Sequence, residues 1–339
     1  MSWKNQLRKN AVPWLLESDD PGVRYLALRD LIDLSPDDKK LKAARKAAHK
    51  DGPIAEVLSQ MNKEGYWVKP GPGYSPKYSS TVWSMILLAQ LGAAVREDQR
   101  IEQACKYLLD HALADGGQFT MIASGAPSGT ADCIQGNLLW SLMELGYDDP
   151  RLKKAYEWMA RTVTGDGIAP MEEKDAPVRY YAGKCGPTFA CGANNKLPCA
   201  WGGVKVMLAF SKLPAEQRTP VIRKAIQHSA DFFFSVDPAR AEYPAGYADK
   251  PSGNWWKFGF PMFYVTDLLQ LAESFVSLGY ASHKRLEGTL HVIREKQNEH
   301  GQWLMEYDYT GKTWLDFGKK KHPNKWVTLR ALRVLQSTA

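Results

Sequence analysis

Apolar residues recur along the chain at helical spacing, and they come in two grades. The stretches TVWSMILLAQL at 81–91, NLLWSLMEL at 137–145, VKVMLAF at 204–210 and VTDLLQLAESFVSL at 265–278 are apolar over more than half their circumference. Such patterning predicts helices buried on most sides. Each is followed, after a short turn, by a segment with a plain polar face, at 97–110, 150–163, 217–234 and 284–297. In RLKKAYEWMART, for example, Leu152, Ala155, Tyr156 and Met159 make the apolar stripe.

The junctions repeat as well. LAQLGAAVREDQRIEQA, MELGYDDPRLKKA and VSLGYASHKRLEGT share an apolar helix, a Leu-Gly stop, a polar turn and the start of a second helix. Gly92, Gly146 and Gly279 fall where a chain leaving a helix needs positive φ. A Gly-rich turn with an apolar or aromatic residue closes each unit: EGYW at 64–67, DGGQF at 115–119, GDGIAP at 165–170 and HGQW at 300–303. A period of roughly 50–65 residues implies units that bury a face only against their neighbours. Units begin near 24, 79, 131, 199 and 261, and a last apolar helix, KWVTLRALRVL at 325–335, finds its partner in an N-terminal helix around 3–16. The expected fold is all-α: one α/α toroid over residues 1–339 of about six hairpins, apolar helices inside and amphipathic ones outside. The long insertion 164–198 is expected across the barrel mouth. An open solenoid is the alternative, since DPGVRYLALRDLI at 20–32 looks HEAT-like.

Composition narrows the partners. The chain has 339 residues, 44% hydrophobic, with 44 Lys and Arg against 37 Asp and Glu, a net charge of +7. No binding motif or concentrated basic stripe points to nucleic acid. The cluster Lys312, Lys319, Lys320, Lys321 and Lys325 is read as a solvated rim, with weak contact to an anionic or membrane surface as the alternative. No apolar run approaches the ~20 residues of a membrane span, and the N-terminus lacks a signal-peptide core. A cytoplasmic location is therefore expected, and in that setting five cysteines suit free thiols or metal ligands rather than disulfides.

The turns DGGQF and HGQW, with Gln297 upstream in REKQNEHGQW, resemble the QW-type repeats of squalene–hopene cyclases and prenyltransferase β subunits, over residues from about 55 to 335. The part from FGFPMFYVTDLL to WVTLRALRVL is also similar to uncharacterised bacterial proteins described as squalene-cyclase-like. The resemblance implies the toroid and an enzyme acting on an apolar, isoprenoid-type ligand by acid–base or Lewis-acid chemistry. Two departures matter. Class II terpene cyclases protonate an alkene with a DxDD aspartate, whereas this chain has only ESDD, SPDD and GYDD, in or beside turns. Protein prenyltransferases hold zinc with an Asp-x-Cys pair, whereas here Asp132 and Cys133 are adjacent.

Three of the five cysteines fall within KCGPTFACGANNKLPCAWGG at 184–203. Aligning ADCIQGNLLWSLMEL on LPCAWGGVKVMLAFS places Cys133 on Cys199, each at the start of an inner helix in consecutive hairpins. Neighbouring helix axes stand about 8–10 Å apart, so Cys133, Cys185, Cys191 and Cys199 are expected to converge. Four thiolates suit tetrahedral zinc at about 2.3 Å, with an iron–sulfur cluster second, although C-x5-C-x7-C is no zinc-ribbon spacing. Buried structural thiols and a redox or catalytic thiol are the alternatives. Asp132 is read by preference as the N-cap of a helix starting near 134, and otherwise as a catalytic group or a hydrogen-bond acceptor beside the metal's ligands.

The remaining candidates are weaker patterns. MEEKDAPVRYYAGKCG offers Tyr180 and Tyr181 beside Arg179, a base and an anion clamp for a glycan lyase. MEYDYTGKTWLDFG offers Glu306, Asp308, Trp314 and Asp316 for acid–base work at the mouth. Histidines form no paired-ligand spacing, and no phosphate-binding loop appears. Three functions therefore stand: the apolar-ligand enzyme, a glycan lyase or hydrolase using Tyr180 or Tyr181, and a metal-stabilised binding or scaffold toroid. They differ in the cavity expected: an apolar pocket walled by aromatics, an open groove with carboxylates, or a filled barrel.

Overall fold

The computed structural model describes residues 2–126, 129–169, 173 and 184–338. The helices are α1 (Val12–Leu15), α2 (Pro21–Asp30), α3 (Lys39–Lys50), α4 (Pro53–Ser59), α5 (Thr81–Gln90), α6 (Gln99–Ala112), α7 (Asp132–Glu144), α8 (Arg151–Thr164), α9 (Ala200–Lys212), α10 (Pro220–Phe234), α11 (Leu268–Ser277), α12 (Glu287–Glu295) and α13 (Lys325–Gln336). Among the described residues, extended pairing is limited to isolated bridges. The fold is all-α.

Contacts between helices follow a circle. α5 packs on α7, α7 on α9, α9 on α11, α11 on α13, and α13 on α2. The circle closes where Leu26 and Tyr25 of α2 press on Gly92, just past the end of α5. Six apolar helices thus form the inner ring, as the two grades of periodicity predict. The amphipathic helices α3, α6, α8, α10 and α12 lie outside it. Gly92, Gly146 and Gly279 end their helices at φ of 80°, 75° and 91°.

The Gly-rich turns carry one repeated piece of chemistry. Asn62 donates to the Tyr66 carbonyl at 2.7 Å, Ala114 to Gln118 at 2.8 Å, and Asn298 to Gln302 at 2.9 Å. The next residue in each turn, Trp67, Phe119 or Trp303, is fully buried. Its backbone N–H donates to a side chain in the first or second turn of the following inner helix: Thr81 at 3.1 Å, Gln135 at 2.8 Å, Thr328 at 2.9 Å. The Trp67 and Trp303 indoles donate back to Val57 and Ile293, both at 2.8 Å. Each turn so locks an outer helix to the next inner one. Burying one such ring removes about 200 Å² from water, worth about 5 kcal/mol as an upper bound.

Two expectations need correction. The N-terminal partner of α13 is not one helix over 3–16; it is a short turn at Trp3–Gln6 followed by α1, which Pro13 initiates. Gln6 still reaches α13, donating to the Leu335 carbonyl at 3.2 Å. Lys325 is not part of a solvated rim. It is 9% exposed and pairs with Glu17 at 2.9 Å and with Asp19, tying α13 to the N-terminal segment. Trp83, Lys205 and Phe263 are fully buried within the ring, and a cavity lined by residues of all six inner helices opens at their C-terminal ends. No described helix is long and apolar enough to cross a membrane.

Candidate active site

α7 and α9 approach each other unusually closely because small residues line the seam. A Cβ on Gly136 would stand 2.3 Å from the Lys205 carbonyl carbon, and one on Gly202 3.2 Å from Asp132 Cβ. The N-terminal turns of the two helices therefore lie side by side, as the alignment of the two repeats predicts. The segment 184–199 folds over them. Asp132 donates its N–H to the Lys184 carbonyl at 3.3 Å, and Cys199 to Phe189 at 2.9 Å. Phe189 wedges beneath Phe232 and Phe233 of α10, with ring centroids 5.7 and 6.2 Å away. The segment is tightly turned: Thr188, Phe189, Asn195 and Lys196 all hold left-handed φ between 51° and 62°. Backbone strain of this kind, about 1–3 kcal/mol per residue, persists where the surroundings impose it.

Above this floor lies a cleft of ≈ 780 Å³. Its walls are aromatic: Tyr74, Trp201, Tyr243, Trp255 and Tyr264. Cys133, Cys191 and Cys199 form its floor, and Lys77, Lys184 and Lys250 are the charged residues lining it. No described Asp or Glu does so. Lys77 lies over the Tyr264 ring at 4.8 Å, and Tyr264 joins Tyr78 through a 3.1 Å hydroxyl contact. The mouth is electropositive for a second reason. The inner helices on this side, α5, α7 and α9, have no side-chain cap, whereas Asp267 caps α11 and Asn324 caps α13. Uncapped N–H groups carry the positive end of the helix dipole.

The titratable groups at the floor are pushed in opposite directions. The neighbouring Cys199 thiol, and after it the backbone N–H groups of Ala193 and Asn194, hold the Cys191 pKa below the usual thiol value. Cys199, as the donor and under burial, is raised and keeps its proton. Burial, then the Cys191 and Asp132 charges, push Cys133 up to about 12. Burial, then Cys191, raise Asp132 well above the carboxylate range.

Asp132 is not the cap expected of it. The helix begins two residues earlier than the pattern suggested, so Asp132 occupies its first turn and Ala131 the cap position. Its side chain is 2% exposed and neither carboxylate oxygen has a hydrogen-bond partner. An unpaired buried carboxyl stays protonated because ionising it would cost several kcal/mol of solvation.

The other predicted residues that are described do not line this cleft. Cys185 is buried in the hydrophobic core and is not part of the cleft lining. Asp316 is exposed and accepts the Gly311 N–H at 3.0 Å, holding a turn. Tyr180 and Tyr181 lie outside the described residues. Glu306 pairs with Lys296 at 2.7 Å, Asp308 with Lys320 at 3.1 Å, and Trp314 donates to Ser84 at 2.9 Å, all structural roles. Cys105 is a buried core residue of α6. Three of the four expected ligands therefore meet. Among the described residues, however, no three His, Cys, Asp or Glu side chains are grouped as a bound ion needs. As arranged, these thiols are not set around a common point as tetrahedral zinc or a cluster requires.

Sequence reasoning missed Lys205. It is fully buried in α9 and donates to the Val265 carbonyl at 3.3 Å and to Gln270. Burial lowers its pKa to about 7. The only signal was one lysine inside the apolar run VKVMLAF. Beyond it, at the C-terminal ends of the inner helices, a second cavity of ≈ 590 Å³ carries Arg29, Asp30, Glu144, Lys212, Glu273 and Arg330. These charges pair with one another: Arg29 with Asp30 and Glu144, Lys212 with Glu144, Arg330 with Glu273 and with Asp267.

No family model matches the chain, and no curated protein matches it. Among solved structures, the apo type II terpene cyclase MstE from Scytonema matches with a TM-score of 0.31 and 13% identity, over 87% of this chain and 97% of that one. An aspartate variant of that enzyme, in complex with geranylgeranyl dihydroxybenzoate as substrate, matches with the same TM-score and identity, over 87% and 96%. A protein from Actinoplanes matches with a TM-score of 0.31 and 13% identity, over 88% and 99%. Matches at this level assign neither activity nor site residues.

Proposed function

We propose that the protein is an enzyme that takes an apolar small molecule with an anionic end into the aromatic cleft and transforms it by acid–base chemistry at the thiol floor. The observation that carries this reading is the cleft itself, with aromatic walls, thiols beneath and no described carboxylate in its lining. An apolar chain gains about 25 cal/mol for each Å² it buries against those rings. Lys77, Lys184 and Lys250, with the uncapped ends of α5, α7 and α9, favour an anion at the mouth. The isoprenoid class implied by the resemblance of the Gly-Gln-aromatic turns to cyclase repeats is one such ligand.

The proton roles follow from groups whose pKa values are driven apart. Cys191, as a thiolate, accepts a proton from the ligand. Asp132, near enough for the Cys191 charge to raise it, is the protonated group behind the floor. A glycan lyase reading has less support, since it needs carboxylates in the groove or Tyr180 and Tyr181. The scaffold reading has less support, since it expects a filled barrel, whereas cavities open at both ends of the ring.

Equilibrium dialysis with farnesoic acid tests the reading. Saturable binding is expected, weakened about tenfold by Trp201→Ala through lost apolar contact. Ligand recovered from the wild type should be chemically altered, and ligand recovered from Cys191→Ala should not. Absence of saturable binding contradicts the cleft; unaltered ligand from the wild type contradicts the catalytic part. Metal content of the untagged protein is read alongside, because a zinc-bound Cys191 would be a ligand and not a base.

A further inference from the structure

The last residue of each inner helix is polar, and all six line one cavity: Asp30, Gln90, Glu144, Lys212, Ser277 and Gln336. The cavity holds ≈ 590 Å³, which is within the range of small-molecule pockets. Its charges alternate. Arg29 donates to both carboxylate oxygens of Asp30 and, from Nη2 at 3.1 Å, to Glu144. Glu144 also accepts from Lys212, and Asp30 from Arg333. Glu273 accepts twice from Arg330, at 3.1 and 2.8 Å. The four cations Arg29, Lys212, Arg330 and Arg333 match the lining carboxylates in number, the fourth carboxylate being Asp33. The lining is therefore charged throughout and neutral in sum.

We propose that this cavity is a binding site for a neutral polyhydroxylated molecule, a mono- or disaccharide. The inference is independent of the aromatic cleft and its ligand. A hydroxyl both donates and accepts hydrogen bonds, so neighbouring hydroxyls of a sugar bridge a carboxylate and the guanidinium beside it without separating them. A net anion or cation would instead compete for one member of a pair and strand the other, which is costly for a part-buried charge. Trp140 is half-buried at the cavity wall, and its indole N–H has no hydrogen-bond partner among the described residues. Its ring offers a face for the C–H side of a sugar and its N–H a donor for an oxygen. Asp33 lines the cavity exposed and forms no ion pair among the described residues, so its carboxylate is open to hydroxyl donors.

The lining is set before a ligand arrives. The ion pairs fix the long side chains, and Gln90 is held at both ends of its amide by the Met262 backbone, each bond at 2.7 Å. Little rotamer freedom is then lost on binding. The same pairs make this a site for recognition and not for cleavage. Burial opposes the charge on Asp30 and Glu144, but Arg333 and Arg29 beside the first, and Lys212 and Arg29 beside the second, hold both below their ordinary values. Glycoside hydrolysis needs one carboxyl kept protonated as the acid, and neither of these is.

Saturation-transfer difference NMR on the full chain, with glucose, maltose, cellobiose, lactose and trehalose, tests the proposal. At least one sugar should show saturable transfer to its ring protons, and excess farnesoic acid should not displace it. Trp140→Ala should weaken that sugar's binding by about tenfold through lost stacking. Asp33→Asn, which breaks no ion pair and so leaves the fold alone, should weaken it by about threefold, because a charged acceptor becomes a neutral one. Absence of saturable transfer to all five sugars, or binding unchanged in both variants, overturns the proposal. Displacement by farnesoic acid would put the sugar in the aromatic cleft and overturns it as well. So does saturable binding of glutamate or arginine in place of the sugars, since it would show the ion pairs opening to a charged ligand.

Discussion

At the scale of single residues, Asp132 decides how much of the account is functional. A buried carboxyl with two unpartnered oxygens does not help the fold. Asp132→Ala should raise stability by about 1–3 kcal/mol at neutral pH, measured by denaturant unfolding. The pH dependence gives a second reading. The native carboxyl keeps its proton above the unfolded value of about 3.9, so unfolding releases a proton there. Wild-type stability should therefore fall as pH rises above about 4, until the native group itself ionises. Asp132→Ala should flatten that part of the curve; an unchanged slope contradicts the raised pKa. Sequence composition put Asp132 at a cap because Asp suits caps. A helix beginning two residues earlier turned the same residue inward, and boundaries are what pattern reading fixes least. Lys205 was hidden for a related reason: one charge within an apolar run tells nothing of whether it is turned outward or sealed in.

At the scale of elements, the seam between α7 and α9 positions the thiols. Gly136→Ala would set a Cβ against the Lys205 backbone, which cannot step aside as a flexible side-chain tip can. The substitution should cost about 1–3 kcal/mol in unfolding free energy. By separating the two N-termini it should also open the floor around Cys133 and speed its alkylation relative to the wild type. Unchanged stability and unchanged alkylation contradict the close seam. The pairing of apolar and amphipathic helices, the Leu-Gly stops and the Gly-rich turns were all legible, since each follows from period and turn chemistry. The meeting of Cys133 with Cys199 followed from aligning two repeats. The departure of Cys185 into the core did not, because nothing in a loop's composition says which of its side chains points to the ring.

At the scale of the whole molecule, the ring is held shut by charge as well as by packing. Arg330 of α13 is 5% exposed and bonds Asp267 at 3.1 Å, Glu273 at 2.8 Å and the Gly259 carbonyl at 2.7 Å. Arg330→Met leaves Asp267 buried without its cation and should cost about 3–5 kcal/mol, read as a lowered unfolding midpoint. A cost below about 1 kcal/mol would show that the network is already solvated. The closed circle was expected from six apolar helices and a partner shared between the chain ends. Trp83 of α5 and Phe263, in the segment before α11, are buried within the ring, and space remains at both ends of the inner helices, as the mouth cleft and the charged cavity.

The mouth is the central claim, and ligand protection of individual cysteines tests it most directly. Iodoacetamide is applied at pH 7 with and without farnesoic acid, and each cysteine is quantified by peptide mass spectrometry. The account predicts that Cys191 labels fastest without ligand, and that saturating ligand slows Cys133, Cys191 and Cys199 together while leaving Cys105 and Cys185 unaffected. Equal labelling of Cys133, Cys191 and Cys199 with and without ligand would contradict it.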